Sequence, residues 1–370
     1  MMLSILLVLG SMNSEWKAAN GEASSAAGVA QIVAKFELLE ASSMKLEKWK
    51  TYTNAQGALA WATSYLLEAY LDMWRATRDR KYLDKFSVLA DALVKRTDVR
   101  LGLADYKGRK RVGWGSVRYS KAGERIVWLV HTGMITYPLA SFALVVRETP
   151  ALTDLADTAL RLRTTTEAAL REFDAQWRYD PVTRLGHYVY ESDEPQSDVV
   201  GPETPLPFNQ QLAAGRAYLM LWKLTKDPAY QQKVEALGRH FQQHLRPDNR
   251  GGYAWDYWYG KGLTRYKAPE DVSHGAIDVD FAAHAARASL VFTPEDLKRF
   301  AGTFYRETET MEGKMGRPSE AAGQWLGLAT VDCGVYRAVA PYLMGKAGVQ
   351  HPQILLGVAK LARYFETCGR

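Results

Sequence analysis

The repeated pairing of long helical patterns across very short polar turns limits this chain more than any other feature of its 370 residues. Apolar residues recur at helical spacing from about Gln56 to Thr77, Tyr82 to Lys95, Val127 to Arg147, Thr153 to Phe173 and Phe208 to Thr225. The pattern continues over Tyr230 to Leu245, His274 to Leu290, Glu295 to Glu307, Ala321 to Met344 and Pro352 to Phe365, and an earlier helix covers Gly28 to Lys48. Few segments alternate apolar and polar residues over more than four positions, so the chain reads as all-α. Arg78-Asp79-Arg80, Glu148-Thr149-Pro150, Lys226-Asp227-Pro228 and Phe292-Thr293-Pro294 separate four successive pairs, with Pro or Asp starting the following helix. Connections this short make the partners antiparallel.

Between pairs lie longer stretches rich in aromatics and glycine: Leu101 to Arg125, Gln176 to Pro207 and Asn249 to Ser273. Short turns at one end and long loops at the other gather function on the long-loop side. The first helix of each pair is the more apolar, as in Leu59-Ala60-Trp61 and Leu212-Ala213-Ala214, whereas the second carries more charge, as in Gln231-Gln232-Lys233 and Lys298-Arg299. An inner ring of buried helices within an outer solvated ring follows, an (α/α) toroid or incomplete barrel of about five to seven helical hairpins. A helical solenoid is the alternative, but no motif recurs at constant period. No linker or compositional break follows residue 28, so residues 28–370 read as a single toroid domain. Residues 1–27 read as a signal remnant or a disordered N-terminus: Ile5 to Leu9 is apolar and Gly10, Ser11, Asn13 and Ser14 follow, though no basic start precedes them. The location expected from that is secreted or periplasmic.

A formal charge of +6 biases the chain mildly toward anionic partners. Cys333 and Cys368 are too few for a disulfide framework, and no CxxC or Cys/His cluster suggests zinc, so no metal is expected. No run of 18 or more apolar residues offers a spanning helix. Neither a Gly-rich phosphate loop, an HExxH motif nor a GxSxG elbow is present, and no cofactor is expected. Lys107, Arg109, Lys110 and Arg111 form a basic loop that could meet a polyanion, a solvated loop being the commoner case.

If the first helices line the ring, polar residues at their N-termini point into its mouth, where free backbone N–H groups favour anions. The starts are Asn54-Ala55-Gln56-Gly57, Trp128 to Gly133, Pro207 to Gln211, and Glu270 to Gly275. Ser273 is a good N-cap, and His274 behind it faces the cavity or is an ordinary half-buried histidine in about equal measure. The run Tyr253, Trp255, Trp258 and their neighbours Tyr257 and Tyr259 can stack on sugar faces and offer a phenol, or simply pack over the core. Asn209 follows Pro205 and Pro207 and is either an N-cap or a carboxylate donor; His131 is either a hydrogen-bonded core residue or part of the site. Asp278 and Asp280 point to different helix faces and make a poor acid/base pair.

The order WLVHTG (Trp128 to Gly133), PFNQQ (Pro207 to Gln211), YAWDYWY (Tyr253 to Tyr259) and EDVSHG (Glu270 to Gly275) resembles bacterial polysaccharide lyases with an (α/α) toroid and the helical domain of glucuronyl C5-epimerases, over roughly residues 50 to 345. The resemblance implies β-elimination on uronate polymers such as glucuronan or alginate, with an acidic polysaccharide as partner and neither nucleic acid nor membrane. In that chemistry Asn209, His131 and Glu270 stabilise the enolate-like charge, and His274 with Tyr257 or Tyr259 moves the protons. Tyr253, Trp255, Trp258, Gln210, Arg306 and Trp128 bind substrate, and Tyr266 is a further phenol to place against His274. Epimerisation shares these residues. A toroidal hydrolase of uronides would instead use two carboxyl groups, for which Asp256 and Asp278 are the candidates.

Overall fold

The computed structural model describes residues 27–43, 46–191, 193–195, 203–259, 270–308, 319–349 and 351–369. In chain order its elements are α1 (27–42), α2 (Leu46–Trp49), α3 (Ser64–Thr77, entered through a π turn at Leu59–Thr63), α4 (Lys81–Val94), α5 (Asp98–Leu101), α6 (Leu129–Glu148), α7 (Ala156–Arg171), β1 (Trp177–Asp180) and β2 (Leu185–Tyr188). There follow α8 (Phe208–Thr225), α9 (Pro228–Gln242), β3 (Arg246–Pro247), β4 (Tyr253–Ala254), α10 (Val272–Arg287), α11 (Pro294–Thr308), a 3-10 segment at Glu320–Thr330, α12 (Cys333–Met344) and α13 (Gln353–Cys368). The two antiparallel hairpins, β1–β2 and β3–β4, sit within the long connections.

Hydrophobic patterning sorts the helices into two rings. Segments apolar nearly all round go inside, where neighbours cover every face. α6 is the extreme case, buried from Leu129 to Val146. It is long and apolar enough to cross a membrane, yet its apolar window lies wholly inside the protein. The inner order is α3, α6, α8, α10, the 3-10 segment and α13, which closes back onto α3. Helices with one apolar stripe lie outside: α4 on α3, α7 on α6, α9 on α8, α11 on α10, and α12 on the 3-10 segment and α13. α1 takes the remaining outer place, with Phe36 edge-on to Tyr70 and Tyr82 at 6.5 and 5.9 Å. The described residues thus form an (α/α) toroid with six inner segments.

Three local findings differ from the sequence reading or sharpen it. The helix expected over Ala321 to Met344 is two segments, because Asp332 caps α12 by accepting from the Gly334 N–H at 2.7 Å and turns the chain back. Cys333 and Cys368 form a disulfide joining the start of α12 to the end of the last inner helix. The α6–α8 contact needs a glycine, since a Cβ on Gly133 would come within 2.3 Å of the Ala214 backbone nitrogen.

Candidate active site

Each of the first five inner segments is followed by an outer helix that returns along it, and α13 follows the outer α12, so the inner N-termini share one end, and the long connections enter there. A cavity of about 190 Å³ opens at this end. Its lining comes from four places: Trp61 and Tyr65 at the start of α3, Tyr119 in the connection before α6, Ser273, His274 and Ile277 on α10, and His351 and Gln353 at the start of α13. Tyr65 and His351 meet at 5.8 Å between ring centres, and Tyr257 lies 5.2 Å from the His274 ring.

His274 is held by its own helix start. The cap of α10 is Asp271 rather than Ser273: its Oδ1 accepts from the Ser273 and His274 N–H groups at 2.7 and 3.0 Å. Its other oxygen lies 2.7 Å from His274 Nδ1, and Glu270 Oε1 lies 3.6 Å from the same nitrogen. Burial works against a charge on His274, but the hydrogen bond and charge of Asp271 and the charge of Glu270 outweigh it, and the imidazole is raised above its ordinary value. Burial likewise opposes the Asp271 charge, yet its bonds from His274 and Ser273 hold it well below the usual carboxylate range. Glu270 goes the other way, pushed well up by burial and then by the Asp278 charge. Two adjacent carboxyls are therefore displaced in opposite directions.

His131 sits one turn into α6, fully buried beneath Trp61, whose ring is 5.4 Å away and nearly perpendicular. Asn54 Nδ2 donates to the Trp114 carbonyl at 2.6 Å and lies 3.1 Å from His131 Nδ1. With Nδ1 accepting, the ring proton belongs on Nε2, which has no hydrogen-bond partner among the described residues. Burial, then the Arg118 charge, lower this imidazole to about 3, so it is neutral. Asn209, 2% exposed in the first turn of α8, also presents an unpartnered oxygen; Pro207 occupies the cap position, so Asn209 is not the N-cap. Gln210 Oε1 and Trp128 Nε1 are buried atoms with no hydrogen-bond partner among the described residues.

Below the cavity the barrel is filled by charge. Arg216 Nη1 lies 3.0 Å from Asp280 and 3.7 Å from Glu68; Lys360 lies 3.6 Å from Asp72 and 3.7 Å from Asp280; Arg363 lies 2.6 Å from Asp72. Tyr137 completes this floor, 2.7 Å from His284 Nε2 and stacked under the Arg216 guanidinium at 4.4 Å.

Several expected site residues lie elsewhere. Tyr253 donates to Asp296 at 2.6 Å and packs on Phe300 of α11. Trp255 and Trp258 are buried, their indoles donating to Asp278 and to the Pro205 carbonyl, so neither leaves a face for a sugar. Tyr259 accepts from Gln211 at 2.6 Å and stacks on Phe208 at 4.3 Å, which makes it a packing residue. Arg306 pairs with Asp248 and Glu307 on the outer ring. Asp256 pairs with Arg246 on the β3–β4 hairpin while Asp278 is sealed in the core, so they do not form a carboxyl pair. In the basic loop Lys107, Arg109 and Arg111 are paired with Asp105, Glu172, Glu191 and Asp193. Tyr266 lies outside the described residues. Tyr65, Tyr119, His351 and Gln353 are lining residues that the sequence patterns do not single out; the His351-Pro352-Gln353 helix start is the signal that marks the last two.

No protein-family model matches the chain, and no curated protein matches it. Solved structures do. An α-1,6-mannanase of Salegentibacter sp. HEL1_6 matches with a TM-score of 0.55 at 12% identity, over 92% of this chain and 99% of that one. A family 88 glycosyl hydrolase from Bacteroides vulgatus matches with a TM-score of 0.53 at 11% identity, over 92% and 99%. A polysaccharide lyase matches with a TM-score of 0.52 at 14% identity, over 92% and 98%. At these identities the likeness is one of fold, the (α/α) toroid.

Proposed function

We propose that the protein is a carbohydrate-active enzyme that works on a polysaccharide at the toroid mouth, by β-elimination at a uronate. The observation that carries this is the cavity lining: two imidazoles, two phenols, an indole and an amide, with no carboxyl group among the described lining residues. Hydrolysis wants two carboxyls flanking the bond. Elimination wants a base, an acid and neutral donors for a carboxylate.

Asp271 fixes His274 through Nδ1, which leaves Nε2 as the base toward the cavity. The C5 proton passes to that nitrogen, its electron pair forms the C4–C5 double bond, and the C4–O4 bond breaks as O4 takes a proton from Tyr65. The neutral His131 Nε2–H, buried and unpartnered, is suited to the uronate carboxylate and the charge that develops on it, while the unpartnered Asn209 Oδ1 can only accept and suits a sugar hydroxyl. Trp61 offers a sugar-stacking face. Returning the proton to the opposite face of C5 would be epimerisation. The disulfide together with Ile5 to Leu9 supports export to an oxidising compartment.

Hydrolysis is the second reading, favoured by the adjacent Glu270 and Asp271 with opposite displacements. The mannanase and the family 88 hydrolase share the fold, and an inactive mannanase variant, solved with α-1,6-mannotetrose, has two consecutive aspartates replaced. This sequence contains no consecutive aspartates; Glu270-Asp271 is the acidic pair at the mouth. Incubation with glucuronan, alginate and an α-1,6-mannan separates the readings. Growth of unsaturated-uronate absorbance supports elimination, solvent-proton exchange without it supports epimerisation, and reducing ends alone support hydrolysis and overturn the lyase.

A further inference from the structure

Glu270, Asp271 and His274 each bring a ligand atom to one place, all within 4.8 Å of one another. Two further facts set this group apart from an ordinary acidic cluster. Glu270 is 7% exposed, and its Oε2 has no hydrogen-bond partner among the described residues. Beside it Asp278 is fully buried, with Oδ1 equally unpartnered. Two carboxyls gathered on one imidazole, one of them out of water with an oxygen that nothing described completes, leave a place that a cation would fill.

We infer that Glu270, Asp271 and His274 form a binding site for a divalent first-row cation, with zinc the ion their chemistry fits best. One imidazole with carboxylate oxygens is a borderline donor set of the kind zinc accepts. The α10 start already provides the orientation: the Ser273 and His274 N–H groups occupy Asp271 Oδ1, leaving Oδ2 for the ion beside His274 Nδ1. Zinc bonds of about 2.0–2.2 Å require the three side chains to draw together by small rotations. The cation takes the place of the proton shared by Nδ1 and Asp271, which leaves to solvent. For the base form this is a change of tautomer: as Nδ1 gives up its proton Nε2 takes one up from solvent, and His274 can then donate into the cavity but not accept. This last consequence rests on the proposed elimination, so zinc would switch that chemistry off; the binding itself does not depend on it.

The test is calorimetric titration of the full chain with zinc chloride, beside Glu270→Gln and His274→Ala, each checked by its melting curve. A single equivalent bound by the wild type, with affinity at least tenfold weaker in each folded variant, is the expected result. Either variant suffices should the other fail to fold. Absence of saturable binding, or affinity unchanged in the variants, overturns the site; the latter would put the ion elsewhere, for example on His187, His240 and His244, whose rings stack in one cluster. If no polymer is turned over the function reading fails, and the titration still decides the cation site.

Discussion

The two ends of one barrel treat buried polar groups in opposite ways. At the floor, Arg216, Lys360 and Arg363 each face a carboxylate among Glu68, Asp72 and Asp280 at 3.7 Å or less, so that even Glu68 Oε1, Asp280 Oδ1 and Arg216 Nε, which make no hydrogen bond among the described residues, lie against opposite charge. At the mouth, His131, Asn209 and Glu270 keep buried atoms with no partner among the described residues. Buried polar atoms are nearly always satisfied, and exceptions call for a cause. Matched charges at the floor fix how the inner helices sit, whereas unmatched groups at the mouth are what a ligand would complete. The same ring of helices provides a scaffold at one end and, in the function proposed, chemistry at the other.

The contrast can be broken most sharply at the floor. Arg216→Met leaves Asp280 and Glu68 facing each other without their guanidinium, and should lower unfolding stability by about 3–5 kcal/mol in a denaturant titration. His274→Ala at the exposed rim should move stability by no more than about 0.5–1 kcal/mol in the same titration. Equal losses would erase the distinction between the two ends. Gly133→Ala forces α6 and α8 apart midway between them and should cost about 1–3 kcal/mol, read as a lowered melting temperature.

Titration sharpens the comparison with a sign. Glu270, Asp278 and His274 all have folded values above their ordinary ones, so the folded state binds more protons than the unfolded. For His274 the stabilisation is complete below about 6.5 and is lost as pH rises through the raised value; for the two carboxyls the loss begins above about 4. His131, His187, His240, His284 and His351, all lowered by burial, act with the opposite sign below about 6.5, so the test is the difference: melting temperature should change less steeply toward lower values with rising pH in Glu270→Gln than in the wild type. An unchanged slope would contradict the assignment. The smallest effect concerns the far corners of the ring. Lys226 ends α8 at φ 62° with its ammonium 4.9 Å over Trp222, and Arg78 ends α3 at φ 59° with its guanidinium 4.5 Å over Trp74. Lys226→Gly relieves the left-handed backbone but removes the cation–π contact, and stability should shift by less than about 1 kcal/mol.

The rings were legible because helical period and apolar richness are local signals: the sequence alone separates α6, apolar on every face, from α11, apolar on one. The break at Asp332 was harder to see, since an N-cap inside a continuous apolar pattern looks like one helix. His274, which lines the cavity, could be read from a polar residue at an apolar helix start; His131 and Asn209, read in the same way, lie buried and outside the described lining. The aromatic loop could not, because Trp255 and Tyr259 differ from true groove residues only in having Asp278 and Gln211 as partners, and those contacts are set by tertiary packing. Tyr65 was hidden for the reverse reason, a tyrosine inside an apolar helix that happens to face the cavity.

The central claim is that the imidazole gripped by Asp271 exchanges a proton with a bound sugar. Turnover by His274→Ala, measured on whichever polymer the wild type converts and at matched melting temperature, tests it most directly. The account predicts a loss of about 10²–10⁴-fold. A variant that folds normally and retains turnover near that of the wild type would contradict it.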